Sequence, residues 1–265
     1  MSREYEYRGL LAETWDLLRG DTSAWEDRAF YRELIAESGQ PVLDVGCGTG
    51  RLLLDYLAAS IDIDGVDNSP EMLARCRARA EAAGLRPSLS LQSMEALDLP
   101  RRYRTIIVPS SSFQLLTDPD DAAEAMRRFR AHLEPGGTLA MPFMILWEPG
   151  DPTEHREWKL MVERVRPADG ARVRKFSKAR YDVAAQLEHT EDRFEITLNG
   201  VVATEYHSRS PATRWYSQAE ARTLYAQAGF EGVQTWSGFT RKPALRGDTL
   251  FVVVGRARVG GEAGA

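Results

Sequence analysis

The chain has 265 residues, a net charge of −5 and 43% hydrophobic residues. This length suits one large α/β domain or a domain with an insertion, and the acidic balance argues against a dedicated nucleic-acid-binding protein. Two cysteines, Cys47 and Cys76, are too few for a disulfide framework. The first residues lack the apolar segment of a secretory signal, and the most apolar stretch, 139–147, is too short to span a membrane. We therefore expect a cytoplasmic protein that binds neither nucleic acid nor membrane.

Strands and helices alternate over the first half of the chain. Two helices are predicted first, at about 8–20 and 24–38, and we assign residues 1–40 to a helical extension. Strands follow at about 42–46, 61–67, 88–92, 104–109 and 138–146, with helices at about 51–59, 70–84 and 118–133 and a turn at 134–137. Alternating strands and helices are typical of a parallel sheet with helices on both faces.

The pattern changes after the fifth strand, where hairpin signals replace helices. Asp169-Gly170 and Asn199-Gly200 are typical two-residue hairpin turns, and apolar residues alternate with polar ones from Phe194 to Leu198. These signals predict an antiparallel β insertion over residues 151–212. A capping box from Ser217 to Glu220 then begins another helix.

The end of the chain returns to the first sheet. Strands at about 232–236 and 248–254 can form an antiparallel pair at one edge of that sheet, and residues 259–265 are expected to be a disordered tail. The core of the fold is accordingly predicted to comprise residues 41–150 and 213–258.

The most informative segment is Val42-Leu-Asp-Val-Gly-Cys-Gly-Thr-Gly-Arg51, an apolar strand that ends in a glycine-rich loop. Such a loop between a first strand and a first helix is where open α/β sheets bind small ligands. A dinucleotide fingerprint reads G-x-G-x-x-G, but Arg51 stands at the position of its third glycine. Asp44 also suits a cationic group better than a phosphate. Asp67, which ends the second strand, is placed to accept from two ribose hydroxyls.

The residues D-V-G-C-G-T-G resemble motif I of the class I methyltransferases, which use S-adenosylmethionine and release S-adenosylhomocysteine. The resemblance covers about residues 40–145. It implies a Rossmann-like, doubly wound sheet of seven strands in the order 3-2-1-4-5-7-6. It also implies a set of cofactor-binding residues: Tyr7, Trp15, Asp44, Gly46, Cys47, Gly48, Gly50, Asp67, Asn68, Met72, Ser93, Met94, Glu95 and Pro109.

The segment from Val108 to Leu116, at the end of the fourth strand, is where this family places the transferred methyl group. It contains neither the Asn/Asp-Pro-Pro-Tyr motif of amide- and adenine-directed enzymes nor the acidic cluster of metal-dependent ones, so no metal is expected. Candidate substrate contacts are Phe113, Gln114, Trp147, Trp215 and Tyr216. His155 is a candidate catalytic residue, whereas His189 and His207 on the insertion strands are expected to be solvated.

The extension and the insertion resemble those of bacterial small-molecule N- and O-methyltransferases, in which the insertion forms a lid over the substrate. This resemblance implies methyl transfer to nitrogen or oxygen of a small metabolite by in-line displacement, by a monomer or a homodimer. Two alternatives stay open, because a fold does not fix the acceptor. One is methylation of a macromolecule such as tRNA or protein, and the other is a catalytically silent regulatory or scaffold protein.

Overall fold

The computed structural model describes residues 7–258, which form two compact units. One unit, called the insertion unit below, consists of the chain up to Ala24 together with Leu146–Trp215. The other, called the core unit, consists of Trp25–Ile145 and the chain from Tyr216 onward. The extension predicted at 1–40 is therefore divided between the two units. The predicted tail, 259–265, lies outside the described residues.

The regular elements follow the predicted alternation closely. The helices are α1 (Gly9–Arg19), α2 (Glu26–Ser38), α3 (Leu53–Ala58), α4 (Pro70–Ala82), α5 (Pro119–His132) and α6 (Gln218–Gln227). The strands are β1 (Val42–Val45), β2 (Ile63–Asp67), β3 (Ser88–Leu91), β4 (Tyr103–Ile107), β5 (Leu133–Met144), β6 (Glu154–Val165), β7 (Arg172–Asp182), β8 (Leu187–Leu198), β9 (Val201–Arg214), β10 (Phe230–Ser237) and β11 (Leu250–Ala257).

The core unit contains a seven-stranded sheet in the order β3-β2-β1-β4-β5-β11-β10. Strands β1 to β5 run parallel, and β11 pairs antiparallel with both β5 and β10. Counted without the insertion strands, this is the predicted order 3-2-1-4-5-7-6, which is confirmed. Buried side chains of successive strand residues point to opposite faces, where α5 and α6 cover one side and α2, α3 and α4 cover the other.

Two helix starts confirm the capping chemistry read from the sequence. The hydroxyl of Ser69 accepts from the amide of Met72 at 3.1 Å, and Pro70 occupies the first position of α4. At α6, Ser217 and Glu220 form the reciprocal capping box. These local signals fix where the helices that follow β2 and β9 begin.

The turn predicted at 134–137 is instead part of β5. The pairing of β5 with β4 shifts between Tyr103↔Leu133 and Thr105↔Thr138, so that the extra residues of β5 form a bulge. Gly136 adopts a φ of +77°, which a glycine accommodates without steric cost. The same Pro-Gly-Gly sequence that signals a turn therefore serves as a bulge within a longer strand.

The insertion unit is a four-stranded antiparallel sheet in the order β6-β7-β8-β9, which confirms the predicted antiparallel insertion. Asn199 and Gly200 both have positive φ, as a type I′ hairpin turn requires. Helix α1 packs on the sheet through three leucines against Ala171, Val173 and Ile196; these leucines are Leu10, Leu17 and Leu18. Between residues 7 and 258, no helix has the length and apolar character needed to cross a membrane.

Candidate functional site

The candidate site is built on the loop between β1 and α3, whose three glycines have positive φ. The angles are +70° at Gly46, +54° at Gly48 and +81° at Gly50. The amides of Gly46 and Cys47 both donate to the carbonyl oxygen of Val66, at 2.8 and 3.0 Å, which fixes the loop to β2. Burial raises the pKa of the Cys47 thiol, so this residue fills space and is not an activated nucleophile.

Two of these glycines are also required by their surroundings. A Cβ atom at Gly50 would lie 2.6 Å from Sγ of Cys76 and 2.8 Å from Cγ of Leu54. A Cβ atom at Gly46 would lie 3.0 Å from Oγ of Ser112, which follows β4. The loop is thus held by the core behind it at one end and by the β4 end at the other.

Asp44, the acid that precedes the glycines, is 1% exposed. Its Oδ1 atom accepts no hydrogen bond from any residue between 7 and 258. Burial raises the pKa of Asp44 to about 7, and the nearby Arg51 guanidinium and the amide of Leu53 oppose that shift. A buried carboxylate oxygen without a donor is costly unless a ligand supplies one. Asp44 is therefore suited to accept from a cationic ligand group.

Arg51, at the position where a dinucleotide loop has its third glycine, belongs to a buried ion pair. Its two terminal nitrogens donate to the two carboxylate oxygens of Asp27 on α2, with Nη1 to Oδ1 at 2.9 Å. The guanidinium also lies 5.0 Å from the ring centroid of Trp25. This side chain connects α2 to the end of the glycine loop.

Asp67 is held rigidly at the carboxyl end of β2. Its Oδ2 atom accepts from the amide of Gly48 at 2.9 Å, and its Oδ1 atom accepts from the amide of Ser69 at 2.8 Å. Burial raises the pKa of Asp67, and these amides oppose the shift. Each carboxylate oxygen can accept more than one hydrogen bond. The carboxylate can thus also accept from a pair of ligand hydroxyls.

Residues predicted to surround an adenine lie next to this loop. The Cε atoms of Met72 and Met94 lie 3.3 and 3.6 Å from the Cβ positions that Gly48 and Gly46 would have. Ser93 caps a 3-10 turn over Met94–Ala96 without a side-chain bond to that turn. Two further predicted contacts lie beside these residues: exposed Asn68 and half-buried Glu95. The structure brings this predicted set together in the core unit.

A backbone feature at the end of β4 was not anticipated. Ser110 and Ser111, directly after Pro109, both adopt left-handed φ, at +58° and +56°. The hydroxyl of Ser112 donates back to the carbonyl of Pro109 at 2.7 Å. Two successive non-glycine residues in this conformation store strain, which proteins retain mainly at functional sites. No sequence signal marks this strain, because serine is common in ordinary loops.

Three predicted substrate contacts are core residues in the structure. Phe113 is fully buried and lies 6.1 Å from the ring of Tyr216, within the aromatic core of the unit. Gln114 is buried too, and its amide group both donates to and accepts from the backbone of Met144, at 3.0 and 2.7 Å. Packing and hydrogen bonding hold these side chains within the core unit, and the roles of Phe113, Gln114 and Tyr216 toward a substrate stay predictions.

The remaining predicted contacts belong to the insertion unit. Tyr7 and Trp15 contact each other edge to face, with centroids 4.9 Å apart. The indole nitrogen of Trp147 donates to the carbonyl of Asp151. His155 is exposed on β6, and Trp215 is buried. Their roles toward a ligand stay predictions.

His207, expected to be solvated, is buried, and its Nε2 atom lies 2.5 Å from Oε1 of Glu205. This corrects the expectation, because an alternating strand places every second residue on the covered face. Within residues 7–258, no three His, Cys, Asp or Glu side chains come together as metal ligands would.

Comparison with known proteins agrees with this geometry. Residues 42–137 match the sequence model of a family described as a methyltransferase domain. A phosphatidylethanolamine N-methyltransferase from Cereibacter sphaeroides is 36% identical over 116 residues, which are 43% of this chain and 56% of that protein. A dTDP-3-amino-3,6-dideoxy-alpha-D-glucopyranose N,N-dimethyltransferase from Streptomyces fradiae is 30% identical over 142 residues, 51% of this chain and 54% of that protein. The chain thus spans about half the length of these curated relatives.

The fold is also found among solved structures. An S-adenosylmethionine-dependent methyltransferase from Clostridium acetobutylicum superposes with a TM-score of 0.76 at 17% identity, covering 94% of this chain and 98% of that one. At this identity the likeness concerns the fold alone. Residues 42–137 therefore match a methyltransferase domain, in a chain that has the fold of this S-adenosylmethionine-dependent methyltransferase.

Proposed function

We propose that this protein is a methyltransferase that uses S-adenosylmethionine to methylate nitrogen or oxygen of a small molecule. The observation that carries the proposal is the buried carboxylate of Asp44, whose Oδ1 atom has no donor among the described residues. A ligand with an ammonium group satisfies that oxygen, whereas the phosphates of a dinucleotide would be repelled by it. The ion pair of Arg51 with Asp27 further distinguishes this loop from a phosphate-binding one.

The residues present fit this cofactor. Asp44 suits the ammonium of its methionine part, and the fixed carboxylate of Asp67 suits the two hydroxyls of its ribose. The thioether side chains of Met72 and Met94, on either side of the glycine loop, offer an adaptable apolar surface for a flat base. Ser93 has a hydroxyl that no turn hydrogen bond occupies.

When bound, this cofactor supplies a methyl group already activated on a sulfonium. The chain's contribution is then mainly alignment, because effective molarities of well-oriented reactants reach about 10⁵–10⁸ M. The rigid glycine loop and the strained backbone at Ser110 and Ser111 suit that task, since neither has to reorganise when ligands bind. A general base is needed only for an acceptor that arrives protonated.

We infer the class of methyl acceptor from the names of the curated relatives. Two of them are named for methylation of an amino group, on an amino sugar and on phosphatidylethanolamine. We therefore favour a small acceptor and, within that class, nitrogen over oxygen. The lid role of residues 151–212 stays a prediction of the sequence.

Calorimetric titration with S-adenosylmethionine and S-adenosylhomocysteine tests the proposal. We expect micromolar affinity for both, and a loss of about tenfold or more in Asp67→Ala, because hydrogen bonds to a charged group are worth about 1.5–3 kcal/mol each. Asp120→Ala, which removes an exposed acid in the first turn of α5, is the matched control and should bind normally. Absence of binding to either compound would overturn the proposal.

Measurement of methyl transfer distinguishes the proposed small-molecule acceptor from the alternatives. Transfer of a labelled methyl group to small amines or phenols supports a small-molecule acceptor. Transfer only to tRNA or protein would replace that acceptor class, and binding without transfer to any of them would indicate a silent scaffold.

A further inference from the structure

Residues 92–99 of the core unit follow β3 and are called the 92–99 segment below. The amide of Gln92, at its start, donates to the carbonyl of Asp67 at 3.1 Å, so the segment begins beside the predicted ribose contact. It then carries three of the residues predicted to surround the adenine of the cofactor: Ser93, Met94 and Glu95. The position of this segment therefore decides the position of the predicted adenine site.

The side chain of Gln92 closes the segment into a loop. Its amide nitrogen donates to the carbonyl of Asp98 at 2.9 Å, and its amide oxygen accepts from the amide of Asp98 at 2.7 Å. Leu97 is fully buried in the core that contains the apolar face of α5, and Arg128 of α5 donates to its carbonyl at 3.4 Å. The closed loop is thus attached to α5 at its second half.

His132, the last residue of α5, is 7% exposed and uses both ring nitrogens. Its Nδ1 atom lies 2.8 Å from the carbonyl oxygen of Arg128, and its Nε2 atom lies 2.9 Å from the amide nitrogen of Leu99 in the segment. A carbonyl only accepts, and a backbone amide only donates. Nδ1 must therefore carry the proton and Nε2 must accept, which requires a neutral ring in a single tautomer.

A second proton on this ring would break its contact with the segment. A protonated Nε2 atom is a donor, and it would face the amide of Leu99, which is also a donor. Histidine is the side chain that ordinarily changes charge between pH 5 and 8, and the C-terminus of a helix such as α5 attracts positive charge. Mild acid therefore favours the form of the ring that cannot hold Leu99.

The elements adjoining the ring carry other titratable groups. These are Glu124 and Arg128 on α5, Asp98, Arg101 and Arg102 before β4, Tyr103 and Arg104 on β4, and Glu134 on β5. Both glutamates pair with arginines, at 2.6 and 3.8 Å, and Asp98 is exposed. In the described part of the chain no carboxylate forms an ion pair with His132, so the hydrogen bond from Leu99 is the contact that its protonation changes.

We infer that His132 is a positioning residue for the cofactor, because its neutral ring holds the 92–99 segment, and with it the adenine site, against α5. This inference rests on the proposed function, since it concerns how that cofactor site is held. His132 acts through Leu99 and does not have to contact the cofactor. Protonation of the ring releases Leu99, and the cofactor must then order the segment again, which weakens its binding.

The compound 5′-methylthioadenosine tests this without turnover. It has the adenine and the ribose of the cofactor but no ammonium group, so a change in the charge of Asp44 removes no direct contact with it. Its binding to the full chain is measured by calorimetry at pH 8 and at pH 5.5. We expect the wild type to bind it at least about fivefold more weakly at pH 5.5, because the amide of Leu99 then lacks its acceptor.

Two variants of His132 separate positioning from packing. Glutamine has the same reach, and its side-chain oxygen can accept from Leu99 without gaining a proton in this range. His132→Gln should therefore bind the probe within about twofold of the wild type at pH 8 and keep that affinity at pH 5.5. His132→Leu offers no acceptor and should bind at least about fivefold more weakly at both pH values. Ala131→Gln, exposed in the same turn of α5, is the matched control and should behave as the wild type does.

Circular dichroism establishes that each variant is folded, and if His132→Leu is not, the comparison with His132→Gln decides. The inference is overturned if the wild type binds the probe equally at both pH values or not at all. It is also overturned if His132→Gln loses affinity in acid as the wild type does, or if folded His132→Leu binds normally at pH 8. Titration with S-adenosylmethionine at pH 8 distinguishes these failures from that of the proposed function. Normal binding of that compound leaves the proposed function and removes only the role of His132, whereas its absence overturns the proposed function whatever the probe does.

Discussion

The glycine loop of the core unit and the four-stranded sheet of the insertion unit place their carboxylates by different means. Around the loop, Asp44, Asp27 and Arg51 are all buried, and the backbone is fixed by the packed residues behind it. In the described part of the insertion unit, the buried apolar cluster is small and consists of Ala171, Val173 and Ile196. Cross-strand pairs of half-buried side chains do most of the positioning there. The same chemical change should therefore cost more in the core unit.

Ion pairs give the largest contrast. Arg51→Met leaves the carboxylate of Asp27, which is 3% exposed, without its partner, and breaking a buried pair costs about 3–5 kcal/mol. Arg156→Met removes the same charge from an exposed pair with Glu154 on β6, worth about 0–1 kcal/mol. Urea unfolding followed by circular dichroism measures both. Equal losses would show that burial does not distinguish the two units.

Glycines with similar φ sharpen the comparison. Gly50→Ala forces a methyl group to within 2.6 Å of Cys76 at a φ of +81°, and we expect a loss of about 3 kcal/mol from strain and overpacking together. Gly170→Ala, at a φ of +74° in a hairpin, meets no atom within 4 Å and should cost only the backbone strain of about 1–2 kcal/mol. Thermal unfolding of the two variants separates packing from backbone strain. Losses of equal size would mean that the core yields around Gly50.

The pH dependence of stability gives a third contrast. Burial raises the pKa of Asp44 from 3.8 to about 7, so the folded protein keeps a proton that the unfolded chain releases in this range. Its contribution to stability is full below pH 4 and is lost as pH rises toward 7. Relative to Asp44→Asn, the wild type should lose about 2–3 kcal/mol between pH 5 and pH 8. Unfolding curves at both pH values measure this difference, and a difference that does not change with pH would refute the assigned pKa.

Glu188, on β8 of the insertion unit, serves as the comparison in the same experiment. Burial raises its pKa as well, so its contribution changes with pH in the same direction. Glu188 is half-buried, and Glu188→Gln should therefore alter the pH dependence less than Asp44→Asn does. A larger effect from Glu188→Gln would reverse the ranking of the two regions.

The features that could be predicted from the sequence are those determined by neighbouring residues. The glycine loop, the acid that ends β2 and the capped starts of α4 and α6 each depend on residues within a few positions of one another. The sheet order came from the resemblance to a family, because strand neighbours such as β5 and β11 are far apart in the chain. In the core unit, the predicted local features and the predicted strand order are both confirmed.

The features that could not be predicted depend on contacts between residues that are far apart in the sequence. Asp27, the partner of Arg51, lies in a different helix, and no local pattern pairs them. The burial of Phe113 depends on the packing of α5 and β5 around it, which no local pattern shows. Glu188 reads as an ordinary polar residue on an alternating strand, and only the register with Tyr181 and Thr213 shows what surrounds it.

The place of β11 in the sheet has a consequence for synthesis of the chain. β11 lies between β5 and β10, yet it is translated after the whole insertion unit and α6. Until then the outer edge of β5, with the fully buried residues Leu139–Met141 and Phe143, has no hydrogen-bonding partner. An apolar strand edge is a template for pairing with other chains. A nascent chain on the ribosome therefore exposes this aggregation-prone apolar edge until β11 emerges from the exit tunnel.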